Sequence, residues 1–145
     1  MMTEAAAPHT IKWQDVKNLT AAELGFIQVL SIMMDKVHSD NQQWWMYPPK
    51  PAEGQRPIYA PEMFNQGERI ALMHSELSEA LEAIRHGYPA DTHVTDMGNL
   101  EMEMADVVIR VMDFCEAYKL DLGCAIIAKL IYNRTRPPKH GGKAF

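Results

Sequence analysis

Glu76 and Glu79 stand three residues apart in "HSELSEALEA", and Glu103 and Asp106 repeat the spacing in "EMEMADVVIR". On a helix, residues at i and i+3 share a face, so each pair projects two carboxylates together. Like charges held that close repel, and carboxylates among apolar neighbours cost several kcal/mol unless something offsets them. Protein cations, proton uptake or a bound metal ion are the ways to offset them. Two acidic pairs on facing helices of a bundle are also a recognised way to build a metal site. An all-oxygen ligand set selects a hard ion, Mg²⁺ or, in its place, Mn²⁺. A di-iron site is disfavoured, because it wants Glu-x-x-His and His74 precedes its glutamate.

A second set of residues carries the opposite sign. Lys129, Asn133 and Arg136 fall at i, i+4 and i+7, and Lys139 and Lys143 follow in "KHGGKAF". Acidic metal ligands together with a Lys/Asn/Arg face are the inventory needed to hold a polyphosphate. The full phosphate-loop pattern is missing, so "GGK" is not read as one. A third set, in "HSDNQQWWMYPP", offers Trp44, Trp45 and Tyr47 as aromatic faces for a nucleobase and Asn41 as an amide reader. Trp13 is a further ring of the same kind, and capping the bundle or filling an interface is the competing role for each of them. His38, His74 and His86 are expected to be surface or packing residues.

The elements that must position these residues are helices. Thr20 and Glu23 form a capping box that opens a helix over about 21–38. Leu24, Ile27, Leu30, Met34 and Val37 form its apolar stripe, widened by Phe26, Val29 and Met33. Residues 47–61 form a proline-punctuated loop. A second helix is expected from near Pro61 to Gly87, a third over about 99–118, and a fourth from an N-cap at Asp121 to a stop before "RPPKHGGKAF". The third is apolar nearly all round and is expected at the centre of the bundle. No stretch alternates as a strand does, and no repeat is found. The expectation is an all-α bundle of four main helices, with residues 1–12 a loose tail and 13–145 one domain.

Composition agrees with that frame. The chain has 145 residues, 47% of them apolar and 23% charged, and a net charge of −5 that argues against a nucleic-acid polymer as partner. Cys115 and Cys124 are expected as buried reduced thiols. No apolar run is long enough for a membrane span and no signal-peptide pattern begins the chain, so a cytoplasmic protein is expected.

"ELSE" and "EMAD" resemble the ExxE…ExxD signature of the MazG-like, all-α nucleoside triphosphate pyrophosphohydrolases. "KLIYNRTRPPKHGGKAF" is similar to the K…N..R…KHGGK ending of many small members, and the resemblance covers residues from about 64 to 145. Many members carry two adjacent glutamates at the start of the first motif, where this chain has Ser75. The resemblance implies Mg²⁺-dependent hydrolysis of an NTP or dNTP to the monophosphate and pyrophosphate, with a purine such as dGTP first on the trial list. It further implies Glu76, Glu79, Glu103 and Asp106 as metal ligands and catalytic groups, one of them taking the proton of the attacking water. Lys129, Asn133, Arg136, Lys139 and Lys143 would hold phosphates. A homodimer or a dimer of dimers is implied as well. Two other readings remain open: a sister enzyme acting on phosphoribosyl-ATP, and a non-enzymatic helical oligomerisation module whose acidic pairs bridge to Lys129 and Arg136.

Overall fold

The computed structural model describes residues 18–47 and 58–136. Four α-helices dominate them: α1 (Ala21–Asn41), α2 (Gln66–Arg85), α3 (Asn99–Ala117) and α4 (Leu122–Arg134). Two strands of two residues each, β1 (Met46–Tyr47) and β2 (Ile58–Tyr59), pair antiparallel, with Met46 opposite Tyr59. The described fold is therefore all-α apart from one short clip. No described helix is long and apolar enough to cross a membrane.

Local chemistry sets most helix ends. Glu23 accepts from the Thr20 backbone N–H at 2.8 Å while the Thr20 hydroxyl accepts from the Glu23 N–H at 3.2 Å, so the capping box forms as expected. Asp121 caps α4 by accepting from the Cys124 N–H at 3.0 Å. Gly98 starts α3, and Glu101 reaches back to its N–H at 2.8 Å. Gly87 follows α2 with φ +76°, the left-handed conformation that glycine adopts without steric cost. The start of α2 differs from expectation. Pro61 opens only a single 3-10 turn, Pro61–Met63, and α2 begins at Gln66 under Asn65, whose side chain accepts from the Gly67 and Glu68 N–H groups.

The described residues cluster into two compact units, 18–31 with 121–136, and 32–47 with 58–120. In the first, α4 approaches α1 at Gly123, where an added Cβ would stand 3.2 Å from the Ile27 backbone. Arg134 lies 4.0 Å from Glu23. Cys124 is half-buried, and desolvation followed by Asp121 pushes its thiol up to about 11. Cys115, in the second unit, is buried, and its thiol is also pushed up by burial.

The second unit is built on α2 packed against α3. Glu76 meets Arg110, and Arg69 and Asp113 line one cleft, so the helices run antiparallel. Their connection is pinched by Asp91, which accepts from the His93 and Val94 N–H groups at 2.8 and 2.6 Å. An aromatic cluster fills one end. Trp45, 1% exposed, meets Phe64 and Tyr118 edge-on at 5.6 and 5.8 Å between ring centroids.

One expectation for α3 needs correction. Its C-terminal half is buried through Met112, Cys115 and Ala117, but Met104 and Val108 are exposed. The acidic half of the helix therefore leaves its Met104 and Val108 side in solvent instead of sitting at the centre of a bundle. In α1, Met34 is buried, whereas Leu24, Phe26, Val29 and Met33 are exposed, so the widened stripe finds no cover.

Candidate functional site

Four polar residues of α3, Glu103, Asp106, Arg110 and Asp113, recur at i, i+3, i+7 and i+10 and so share one face of the helix. That stripe faces α2 and divides into two chemically different regions.

The first region is acidic. Carboxylate oxygens of Glu76, Glu103 and Asp106 lie within 4.8 Å of one another. Glu76 is buried, and Arg110 binds it through Nη2 and through Nε at 2.5 Å. Burial raises the Glu103 carboxyl above its ordinary range, and Glu79, Glu76 and Asp106 push it the same way. Burial also raises Asp106, with Glu76 adding to the effect and Arg110 opposing it. Repulsion is thus only partly relieved by the protein's own cation. Three carboxylate oxygens at this separation fit a divalent cation with oxygen preference. Glu79 is exposed and stands outside the group of three, though close enough to act on Glu103. Ser75, beside Glu76 in the chain, donates to the Leu72 carbonyl at 2.7 Å.

The second region is centred on Asp113, both of whose carboxylate oxygens have donors from the protein. Its Oδ1 lies 2.6 Å from His38 Nδ1, and Trp45 Nε1 donates to both carboxylate oxygens at 3.0 Å. Asn41 Nδ2 donates to Oδ2 at 3.4 Å. The other His38 nitrogen meets the Tyr59 hydroxyl at 2.6 Å, and burial raises that phenol's pKa. Among the described residues no buried side-chain nitrogen or oxygen lacks a partner.

A cleft of about 540 Å³ joins the two regions, lined by Asn41, Trp44, Arg69, Leu72, Asp106, Ile109, Arg110 and Asp113. Small-molecule sites commonly measure about 300–1,000 Å³. Trp44 is 63% exposed and offers its ring, while Arg69 packs 4.4 Å from the centroids of both Trp45 and Phe64 and donates to the Trp44 carbonyl at 2.9 Å.

The residues singled out from sequence therefore divide. Glu76, Glu103 and Asp106 come together, and Asn41 and Trp44 line the same cleft as Asp106. Trp45 is a correction: its ring is buried in the aromatic cluster and its N–H is committed to Asp113, so it has no face for a base. Lys129, Asn133 and Arg136 belong to the first unit and are exposed. Lys129 Nζ stands 5.1 Å from the Tyr132 ring centroid and the Arg136 guanidinium 6.0 Å. Trp13, Lys139 and Lys143 lie outside the described residues. His74 and His86 are exposed, as expected, whereas His38 is a buried member of the Asp113 network.

Arg69, Arg110 and Asp113 were missed from sequence. The period of the polar stripe on α3 carries the signal for Arg110 and Asp113, whereas Arg69 has no comparable marker. Compared with family models, curated proteins and solved structures, the chain finds no match.

Proposed function

We propose that this protein is a Mg²⁺-dependent nucleoside triphosphate pyrophosphohydrolase, cleaving the α–β phosphoanhydride of a dNTP or NTP to a monophosphate and pyrophosphate. The observation that carries the reading is the convergence of Glu76, Glu103 and Asp106 beside a cleft that also holds Trp44 and Asn41. The resemblance of "ELSE" and "EMAD" to the MazG-like signature supports it.

In this reading Glu76, Glu103 and Asp106 bind the cation, with Mn²⁺ an alternative to Mg²⁺. When bound, the ion supplies charge neutralisation for the phosphates and a more acidic water. Glu79, outside the group of three, accepts the proton of the attacking water. Arg69 and Arg110 add positive charge to the cleft wall for the phosphate chain. Lys129, Asn133 and Arg136 remain proposed phosphate-binding residues. Trp44 stacks on the base, since every base has a π-face.

A homo-oligomer is part of the proposal. Ile70, Leu77, Leu81 and Ile84 are exposed on α2 at spacings of one helical face, an apolar stripe that suits a second copy. The same stripe favours, as a second reading, a non-enzymatic oligomerisation module in which Arg110 simply neutralises Glu76.

Incubation with each common NTP and dNTP, with and without Mg²⁺, followed by ion-exchange chromatography, separates the two. Monophosphate and pyrophosphate released only with metal is the expected result. No turnover of any nucleotide, together with no Mg²⁺ effect on melting, would leave the module.

A further inference from the structure

Asn41 ends α1, and although it begins the following 3-10 turn its side chain makes no capping hydrogen bond. It donates instead to Asp113 Oδ2. This contact fixes which way round the amide sits. A carboxylate can only accept, so the NH₂ must face Asp113, and the carbonyl Oδ1 is left for the cleft that Asn41 lines. Asp113 lines the same cleft. Its Oδ1 is shared by His38 and Trp45, while Oδ2 carries only the divided Trp45 bond and the long bond from Asn41, which leaves it acceptor capacity.

The wall beside the exposed Trp44 ring is therefore rich in acceptors, an amide carbonyl and a carboxylate oxygen held in place by buried donors. We infer that Asn41 and Asp113 form a selectivity element that favours a base bearing an exocyclic amino group over a keto analogue. An –NH₂ brings two hydrogens to two acceptors, whereas a carbonyl in its place sets oxygen against oxygen. Sites built to hydrogen-bond a ligand N–H discriminate strongly against analogues that lack it, because the site's own polar groups are then left unpaired. His38 and Trp45 are positioning residues in this arrangement, since they hold Asp113 and do not reach the cleft through their own polar atoms. The inference rests on reading the cleft as a nucleotide site, but it concerns recognition and not hydrolysis.

The test is calorimetric titration of deoxynucleoside monophosphates in matched pairs: dCMP against dUMP, dAMP against dIMP, and dGMP against dIMP. The first two pairs exchange the amino group for a carbonyl, with the neighbouring ring nitrogen turning from acceptor to donor, and the third removes the amino group alone. None needs the metal or turnover, so product chromatography on triphosphates judges the enzymatic reading separately. The amine-bearing member of at least one pair should bind roughly tenfold or more tightly, and of no pair more weakly. Asn41→Ala, at a half-exposed position, should cut that preference several-fold without unfolding the protein, and Asp113→Asn, if it folds, should do the same. Equal affinities within every pair, no binding of any monophosphate at millimolar concentration, or a preference unchanged in Asn41→Ala would each overturn the inference.

Discussion

Two groups of carboxylates on the same face of α3 meet opposite fates. Asp113 is surrounded by donors: His38, Trp45 and Asn41 converge on its two oxygens. Glu103 and Asp106, about three and two helical turns earlier, face other carboxylates, and of the two only Asp106 is offset by the Arg110 guanidinium. The difference teaches what each is for. A charge that the chain itself surrounds with donors contributes to structure and is fixed in place. A charge left among its own kind is a local strain that a cation from solution can relieve.

Removing Asp113 should produce the largest loss of stability. Asp113→Ala leaves His38 and the Trp45 N–H buried without their acceptor, at about 3–5 kcal/mol by urea unfolding. A loss under about 1 kcal/mol would show that the network is ornamental. Next comes Arg110→Met, which strips Glu76 of its one cation. Because Arg110 is partly exposed, the expected loss is about 1–2 kcal/mol. The same variant should bind Mg²⁺ more tightly, since a competing positive charge is gone, and weaker binding in a metal titration would contradict the comparison.

Glu103→Gln should do the reverse of Asp113→Ala. Repulsion falls, so without metal Tm should rise by about 1–3 °C, while activity and any Mg²⁺-dependent stabilisation are lost. A lower Tm would mean that Glu103 is stabilised by something other than a cation.

The smallest effect is in the pH profile. Glu103 has a raised pKa in the folded state, so its stabilising contribution is present below its unfolded pKa and disappears as pH rises through the folded value. The advantage of Glu103→Gln should therefore shrink below about pH 4. Asp91 has the opposite sign, its pKa lowered by the Val94 and His93 amides. Its contribution holds above the unfolded pKa and fades as pH falls through the folded one, so Asp91→Asn should cost stability throughout the range above about pH 4 and progressively less below it. Melting curves from pH 3 to 7 would show the two variants departing from the parent in opposite directions as pH rises.

What was legible in the sequence was local. Thr20 with Glu23, Asp121 and Gly87 mark helix ends through bonds to residues within a few positions, so the chain itself announces them. The acidic pairs were legible through helical spacing. The start of α2 was misread because Pro61 is compatible with a first helical turn, while Asn65 followed by Glu68 carried the better signal. Placing α3 at the centre of a bundle failed because apolar residues all round a helix state a need for cover without saying where it comes from. Trp45 and its neighbour Trp44 look alike in sequence. Only the long-range pairing with Asp113, 68 residues away, separates the buried ring from the open one.

That separation has an optical consequence. Adjacent indoles at 1% and 63% exposure occupy a dry, donor-bonded setting and a wet one, so they should emit at different wavelengths. With Trp13 replaced by Phe, a small neutral quencher such as acrylamide should extinguish the red-shifted emission of Trp44 and leave the bluer component of Trp45. A base stacked on Trp44 should shield that same red component. Neighbouring residues in the chain thus supply a reporter and its internal standard, with the polypeptide carrying its own dye.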